Sequence, residues 1–259
     1  MSKLPKAHRF IDLSDYGRPI AKLIANSLKH TAATPIHVTW AFVICGLCAI
    51  VGIITGHYWV AAILLIWKSI LDAADGELAR VKQTPSYTGR YFDSIADILL
   101  NLAIIVTFMF VTGAHPLLTL FAFLGIQLQG TLYNYYYVIL RNNLEGDKTS
   151  RVFEDKVPVA LKGETQQSVN ILYGIYRILY KYFDLTIYHL DKSAVNATSF
   201  PKLFMTIVSI MGLGSQLMII SILLVIGKID YIIPFFAFFS LAIFVFIAIR
   251  RILEHIHLK

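Results

Sequence analysis

The sequence predicts an all-α integral membrane protein with six transmembrane helices and an N-terminal amphipathic helix at the membrane surface. Of the 259 residues, 57% are hydrophobic and only 15% are charged, and the mean hydropathy is +0.65. Soluble globular domains carry about 25% charged residues. Six long runs contain few or no charges, and two of the polar segments between and before them have apolar residues at helical spacing. The composition therefore excludes an ordinary soluble domain.

Each of the six runs, with its flanks, supplies the roughly 20 helical residues that cross a bilayer. The second run reaches Asp72 early, so its helix is expected to continue through Ala79 into the water interface. The first 37 residues lack the apolar segment of a signal peptide, so the first run is expected to remain in the mature protein. The runs are Val38–Gly56, Tyr58–Leu71, Ile98–Ala114, Pro116–Leu140, Leu203–Gly227 and Tyr231–Ile249.

The positions of Lys and Arg predict the orientation. Nearly all of the 23 Lys and Arg residues fall in the N-terminal segment, in the links between runs two and three and between runs four and five, and at the C-terminus. Segments rich in these residues stay cytoplasmic. We therefore expect a cytoplasmic N-terminal segment (1–37) and a six-helix transmembrane domain (38–259) with a long cytoplasmic link at 141–201. Both termini are expected on the cytoplasmic side.

Two segments outside the runs are predicted to be amphipathic helices. In Ser14–Lys29 the apolar residues Ile20, Ile24 and Leu28 recur every four positions. This spacing is typical of a helix that lies on the membrane surface. Val169–Phe183 has a similar apolar stripe and four tyrosines, which suit the lipid headgroup layer.

Four aspartates, Asp72, Asp75, Asp93 and Asp97, lie between the second and third runs. The first two are three residues apart and share one helix face with the small residues Gly76 and Ala79. The last two are one helical turn apart. If these two helices are neighbours, the four carboxylates converge at the cytoplasmic edge of the membrane.

Converging carboxylates repel one another unless cations neutralise them. Oxygen ligands without His or Cys suit Mg²⁺, Mn²⁺ or Ca²⁺ rather than zinc. Two such ions about 4 Å apart would also clamp the charged oxygens of a diphosphate. The pattern therefore indicates metal-dependent transfer at a phosphorus centre. Structural ion pairs with Lys68, Arg80 and Arg90 are the alternative, and Lys68 lies one turn before Asp72.

The segment from Asp72 to Asp97 resembles the signature of the CDP-alcohol phosphatidyltransferase family, D-x2-D-G-x2-A-R-x8-G-x3-D-x3-D, at every specified position. The resemblance implies a catalytic membrane domain in which Asp97 is the general base and can also touch a metal. It implies metal ligands at Asp72, Asp75, Asp93 and Asp97. It further implies contacts to the CDP moiety by Asp75, Gly76, Ala79, Arg80 and Gly89.

The segment Thr34–Thr39 departs from the family pattern. It reads Thr-Pro-Ile-His-Val-Thr, whereas the family often has Thr-Pro-Asn-x-x-Thr before the first span. Ile36 therefore replaces the expected Asn, and a nucleotide contact through that amide is not expected here.

The basic link offers a candidate site for a phosphate on the acceptor, formed by Arg141, Lys148 and Arg151. Guanidinium groups bind phosphate in a bidentate manner. The alternative is that these residues are attracted to anionic lipid headgroups.

We therefore predict an enzyme of phospholipid synthesis that uses Mg²⁺ or Mn²⁺, with two ions, and releases CMP. The preferred donor is CDP-diacylglycerol and the preferred acceptor is a small polar or phosphorylated alcohol. One alternative reverses the partners, with a CDP-linked amino alcohol such as the choline or ethanolamine type as donor and diacylglycerol as acceptor. A divalent-cation transporter is the alternative from another class. The expected partners are the lipid bilayer and, from the resemblance, a second copy of the chain; no nucleic acid is expected.

Overall fold

The computed structural model describes residue 4 and residues 8–144, 156–197 and 199–257. In these residues every regular element is a helix, which confirms the predicted all-α class. Short 3₁₀ helices join several of the α-helices, at Leu13–Asp15, Lys192–Asn196, Ser209–Met211 and Ile229–Tyr231. The α-helices are α1 (Arg18–Leu28), α2 (Pro35–Ile54), α3 (Tyr58–Lys82), α4 (Tyr87–Thr112), α5 (Pro116–Asn143), α6 (Gln166–Leu190), α7 (Lys202–Val208), α8 (Leu213–Val225), α9 (Ile232–Phe239) and α10 (Ala242–His257).

Local sequence signals set the ends of the helices that carry the motif. Thr34 and His37 form a capping box at the start of α2, where Pro35 occupies the first turn. Helix α3 ends at Gln83, which adopts a left-handed conformation with φ 53°. Ser86 then caps α4 by accepting a hydrogen bond from the Gly89 N–H. Only the short link 83–86 therefore separates the two halves of the motif.

Four stretches in the described residues are long and apolar enough to cross a membrane: Pro35–Ile54, Tyr87–Thr112, Pro116–Asn143 and Ile229–Glu254. The pair Lys202–Met211 and Leu213–Val225, bent by 55°, makes a fifth if it forms one span. These criteria give four or five spans where the sequence predicts six. The predicted span that does not meet these criteria is α3, because Lys68, Asp72 and Asp75 interrupt its apolar sequence.

Helix α3 lies among the other helices and positions the motif. It packs against α1, α2 and α8, and α4 packs against α2 and α6. Helix α2 thus contacts both motif helices, whereas α3 and α4 make little backbone contact with each other. Side chains rather than backbones fill the region where the two motif helices approach.

The bend between α7 and α8 accommodates the N-terminal segment. A Cβ on Gly212 would lie 2.5 Å from the Ser14 side chain, and one on Gly214 would lie 1.9 Å from the Ser14 carbonyl oxygen. The Leu13 N–H also donates to Ser209 Oγ at 2.8 Å. Two glycines at the bend therefore let the N-terminal segment pack directly on the backbone.

Helix α1 forms within the predicted amphipathic segment, and small residues are its most buried part. Ala21 and Ala25 are fully buried and belong to a cluster that includes Leu78 of α3. Ile20 and Leu23 are exposed. Ile24 and Leu28 of the predicted stripe also pack, partly buried, against this cluster, so α1 contacts α3 through small residues and through part of the stripe.

Helix α6 extends the second predicted amphipathic segment to 25 residues. Val169 and Tyr173 are buried and pack with Tyr91 of α4. The apolar stripe predicted from the sequence is only partly buried in the protein: Val169 is buried, whereas Ile175 and Tyr182 are exposed. The long link therefore contains a helix that contacts α4 near the motif.

Candidate active site

Three of the four motif aspartates converge. Asp72 and Asp75 on α3 and Asp93 on α4 each offer a carboxylate oxygen, and these three oxygens lie within 4.8 Å of one another. Asp75 is 7% exposed, whereas Asp72 and Asp93 are partly exposed. The two motif helices thus bring together three of the four carboxylates that the spacing predicts, at a separation that one cation can bridge.

Thr39 of α2 hydrogen bonds to this cluster. Its hydroxyl lies 2.8 Å from Asp75 Oδ2 and 3.2 Å from the Pro35 carbonyl. Since a hydroxyl has one proton and the carboxylate is the closer and charged acceptor, we assign the donated hydrogen bond to Asp75. The sequence alone does not predict this contact, although Thr39 ends the segment that resembles the family pattern.

The chemistry of the cluster fits a hard divalent cation. Asp93 Oδ1 is buried and has no hydrogen-bond partner among the described residues. A buried, unpartnered carboxylate oxygen is costly, and it is stabilised by a bound cation. Asp72, Asp75 and Asp93 supply only oxygen ligands, as Mg²⁺ and Mn²⁺ prefer.

Asp97 has a different environment. The Lys68 ammonium lies 2.5 Å from Asp97 Oδ1, and Asp97 does not belong to the three-carboxylate cluster. Lys68 is fully buried, and its Nζ lies 5.0 Å from the centre of the Phe42 ring. The alternative of an ion pair between Lys68 and Asp72 does not describe the direct contact of the lysine, because Lys68 pairs with Asp97 on α4.

Gly76, Ala79 and Arg80 follow Asp75 on α3. A Cβ on Gly76 would meet only the Arg80 guanidinium, at 3.7 Å, so this face of α3 has room beside the carboxylates. The buried carboxylate of Glu77 holds Arg80 at 3.0 Å and Arg18 at 2.5 Å. Arg80 is therefore fixed beside the open face by a residue that the sequence analysis did not select.

Gly89 lies at the start of α4 beside Ile36. A Cβ on Gly89 would lie 3.1 Å from Ser86 Oγ and 3.9 Å from Ile36 Cγ1. Ile36, which replaces the Asn of the family pattern, is thus next to Gly89, which the resemblance assigns to the CDP moiety. An apolar side chain replaces an amide at this point.

Glu164 fixes the link between the motif helices, and the sequence analysis missed it. Its Oε1 accepts hydrogen bonds from Ser86 Oγ at 2.7 Å and the Thr88 N–H at 2.6 Å, and its Oε2 accepts one from the Leu161 N–H at 3.1 Å. Burial alone would raise the pKa of Glu164, but these hydrogen bonds outweigh it and lower the pKa below the ordinary value of 4.5. No sequence pattern marks this residue, because its partners at the link, Ser86 and Thr88, lie 78 and 76 positions away.

The predicted acceptor-phosphate residues are only partly described. Arg141 lies in the last turn of α5 and is 3% exposed. Lys148 and Arg151 lie outside the described residues. A basic pocket formed by all three therefore stays a prediction.

Comparisons with known proteins agree with the motif. A family model described as CDP-alcohol phosphatidyltransferase matches residues 32–165, which include the whole segment from Asp72 to Asp97 and the segment from Thr34 to Thr39. A search of curated proteins and a search of solved structures found no match. The family match covers just over half of the chain and includes Asp72, Asp75, Asp93 and Glu164. The chain belongs to the CDP-alcohol phosphatidyltransferase family.

Proposed function

We propose that the protein transfers a substituted phosphate from CDP-diacylglycerol to the hydroxyl of a small polar or phosphorylated alcohol and releases CMP. The observation that carries this proposal is the cluster of Asp72, Asp75 and Asp93, in which a buried carboxylate oxygen of Asp93 has no hydrogen-bond partner among the described residues. The family match supports transfer from a CDP-alcohol to an acceptor. The choice of donor and acceptor is the part that needs testing.

Asp72, Asp75 and Asp93 would hold the metal, Mg²⁺ or Mn²⁺, with two ions as the expected number. When bound, the metal would neutralise the charged oxygens of the diphosphate and stabilise the departing CMP. Thr39 orients Asp75 through its hydrogen bond. Outer contacts of this kind keep a ligand in the geometry that binding requires.

Asp97 would act as the general base. The acceptor oxygen forms a bond to the phosphorus distal to cytidine, the bond between that phosphorus and the CMP oxygen breaks, and Asp97 takes the hydroxyl proton. The open face at Gly76 and Ala79 would admit the nucleotide, with Arg80 and Gly89 beside it.

The membrane arrangement that fits this reaction has six spans. Helix α3 would be the sixth, since it packs between α2 and α8 and directs its charged residues toward other helices rather than lipid. Helix α1 would lie at the cytoplasmic surface, where exposed Ile20 and Leu23 can contact lipid. Both termini and the carboxylate cluster would face the cytoplasm, where the CDP-linked donor has its soluble portion. A homodimer is the expected assembly.

The deciding experiment measures CMP release by the purified protein in liposomes. CDP-diacylglycerol is offered with a panel of free and phosphorylated polyols, and a CDP-linked amino alcohol is offered with diacylglycerol. We expect release from CDP-diacylglycerol only when a polar alcohol is present. CMP release only from the CDP-linked amino alcohol with diacylglycerol would support the reversed choice of donor and acceptor. Uptake of Mn²⁺ into the liposomes, without CMP release from either donor, would support the transporter.

An Asp97→Asn variant tests the base within the same assay. Turnover should stop while CDP-diacylglycerol binding persists, because the base acts on the acceptor hydroxyl rather than on the donor. Turnover at the wild-type rate would refute the assignment of Asp97.

A further inference from the structure

Lys68 is a charged residue that neither the family signature nor the proposed reaction accounts for. It is 0% exposed, and it lies on α3 one turn before Asp72. Lysines are almost never fully buried unless they are paired. Its partner is Asp97 Oδ1, 2.5 Å away on α4.

The surroundings of Lys68 hold its ammonium in one place. The Phe42 ring of α2 lies 5.0 Å from Nζ, and Phe42 is itself fully buried. A cation over an aromatic ring is attracted to it, and more strongly when both are removed from water. The ammonium is thus held between α2 and the Asp97 carboxylate on α4.

This contact explains why the four aspartates do not act as one group. Asp93 and Asp97 are one turn apart on α4, so helix geometry alone would let both reach the same cation. Only Asp93 lies in the cluster with Asp72 and Asp75, whereas one oxygen of Asp97 is taken by the lysine.

We propose that Lys68 is a positioning residue that keeps Asp97 out of the metal site and leaves its second oxygen for the acceptor hydroxyl. The motif then divides into three metal ligands and one base. This inference rests on the proposed function, in which the three-carboxylate cluster binds the metal.

The test compares Mn²⁺ affinity, measured by titration calorimetry, in four forms of the protein: wild type, Asp93→Asn, Lys68→Met and the double variant Lys68→Met/Asp97→Asn. The double variant removes both members of the pair, so no buried charge is left uncompensated and the protein is expected to fold. Its Mn²⁺ affinity should stay within about threefold of wild type, whereas Asp93→Asn should lose about tenfold or more because a ligand is removed.

The Lys68→Met single variant is expected to increase Mn²⁺ affinity, whereas Asp93→Asn is expected to decrease it. Without the lysine, Asp97 is free to join the cluster, so Mn²⁺ should bind about tenfold more tightly, and adding Asp97→Asn should abolish this gain. Lys82→Met is the matched control, since Lys82 is on the same helix but donates to the Thr31 and Ala33 carbonyls. It should leave Mn²⁺ affinity unchanged.

Two results would overturn the role of Lys68. One is a tenfold loss of Mn²⁺ affinity in the double variant, which would make Asp97 a ligand. The other is a folded Lys68→Met variant whose Mn²⁺ affinity equals that of wild type. If Asp93→Asn binds Mn²⁺ as wild type does, the metal site itself fails, and the proposed function fails with it.

Discussion

Asp191 and the buried Oδ1 of Asp93 are compensated differently in this protein. Asp191, which follows α6, is 0% exposed and fully compensated: Tyr136 donates to Oδ2 at 2.7 Å, and Arg250 donates to Oδ1 at 2.7 Å. Asp93 has a buried oxygen with no hydrogen-bond partner among the described residues and two further carboxylates beside it. Arg250 pairs directly with Asp191, whereas the ion pair that Lys68 makes near Asp93 is with Asp97.

We interpret this difference as that between a structural carboxylate and one that is placed to bind a cation. Removing a carboxylate from water is costly, and Arg250 offsets that cost for Asp191 within the fold. Near Asp93 the available buried cation, Lys68, is used by Asp97. A bound cation would offset the cost of burying the Asp93 oxygen in the same way.

The largest expected effect is on activity at the uncompensated site. Under the proposed function Asp93→Asn removes one metal ligand, so CMP release should fall roughly 10³-fold or more, because the bound metal would supply several kcal/mol of transition-state stabilisation. Thermal unfolding in detergent without metal should not occur at a lower temperature, since the change also relieves repulsion between carboxylates. Full activity, or a much lower unfolding temperature, in Asp93→Asn would contradict the distinction between Asp93 and Asp191.

The corresponding substitution at the compensated carboxylate, Asp191→Asn, is expected to lower stability rather than activity. Asp191→Asn leaves the Arg250 guanidinium, 2% exposed, without its principal counter-charge, although Glu254 still contacts it at 2.7 Å. We expect a loss of about 3 kcal/mol in the free energy of unfolding. Activity per folded molecule should be retained within a few fold. Chemical denaturation of the purified variant, followed by circular dichroism, measures the first quantity, and a normal unfolding midpoint would contradict the comparison.

A smaller effect is expected at Thr39, which supports the uncompensated site from outside. Thr39→Val keeps the shape of a 1% exposed side chain but removes the hydrogen bond to Asp75. CMP release or Mn²⁺ affinity should fall about tenfold, as for other groups that orient metal ligands. Thr107→Val is the control, because that hydroxyl donates only to a helix carbonyl. Equal losses in both variants would indicate a general packing effect.

The smallest effect is predicted for Glu164. Its pKa is lowered in the folded protein, so the stabilisation is fully present above its ordinary value of 4.5 and is lost as the pH falls below that value. Glu164→Gln should lower the free energy of unfolding by roughly 1 kcal/mol at neutral pH, since this partly exposed carboxylate is screened by solvent. The difference from wild type should shrink below about pH 4.5.

Lys162→Gln, in the same loop, is the control for Glu164, because Lys162 is exposed and its change should leave the unfolding midpoint unaltered. A Glu164→Gln difference that persists unchanged at pH 3.5 would show that ionisation of the carboxylate is not its source.

The sequence predicts the parts of the site that depend on local spacing. Helical periodicity places Asp72 and Asp75 on one face and Asp93 on the next helix, and the structure confirms that their oxygens converge. Composition predicts the all-α membrane class and the approximate positions of the apolar helices.

The rest depends on contacts between distant segments. Lys68 pairs with Asp97, Thr39 with Asp75 and Glu164 with Ser86, and no periodic pattern specifies these choices. The contact of α1 with α3 also depends on tertiary packing, because the apolar stripe of this segment does not single out Ala21 and Ala25, which are fully buried. Such contacts are set by the tertiary structure rather than by local sequence.

The central claim is that Asp72, Asp75 and Asp93 bind a divalent cation that the transfer requires. The most direct measurement is CMP release from CDP-diacylglycerol before and after treatment with EDTA, followed by return of Mg²⁺ or Mn²⁺. We predict that EDTA stops release and that either ion restores it in wild type and in Asp191→Asn, but not in Asp93→Asn. CMP release that continues at the same rate in EDTA would contradict the account.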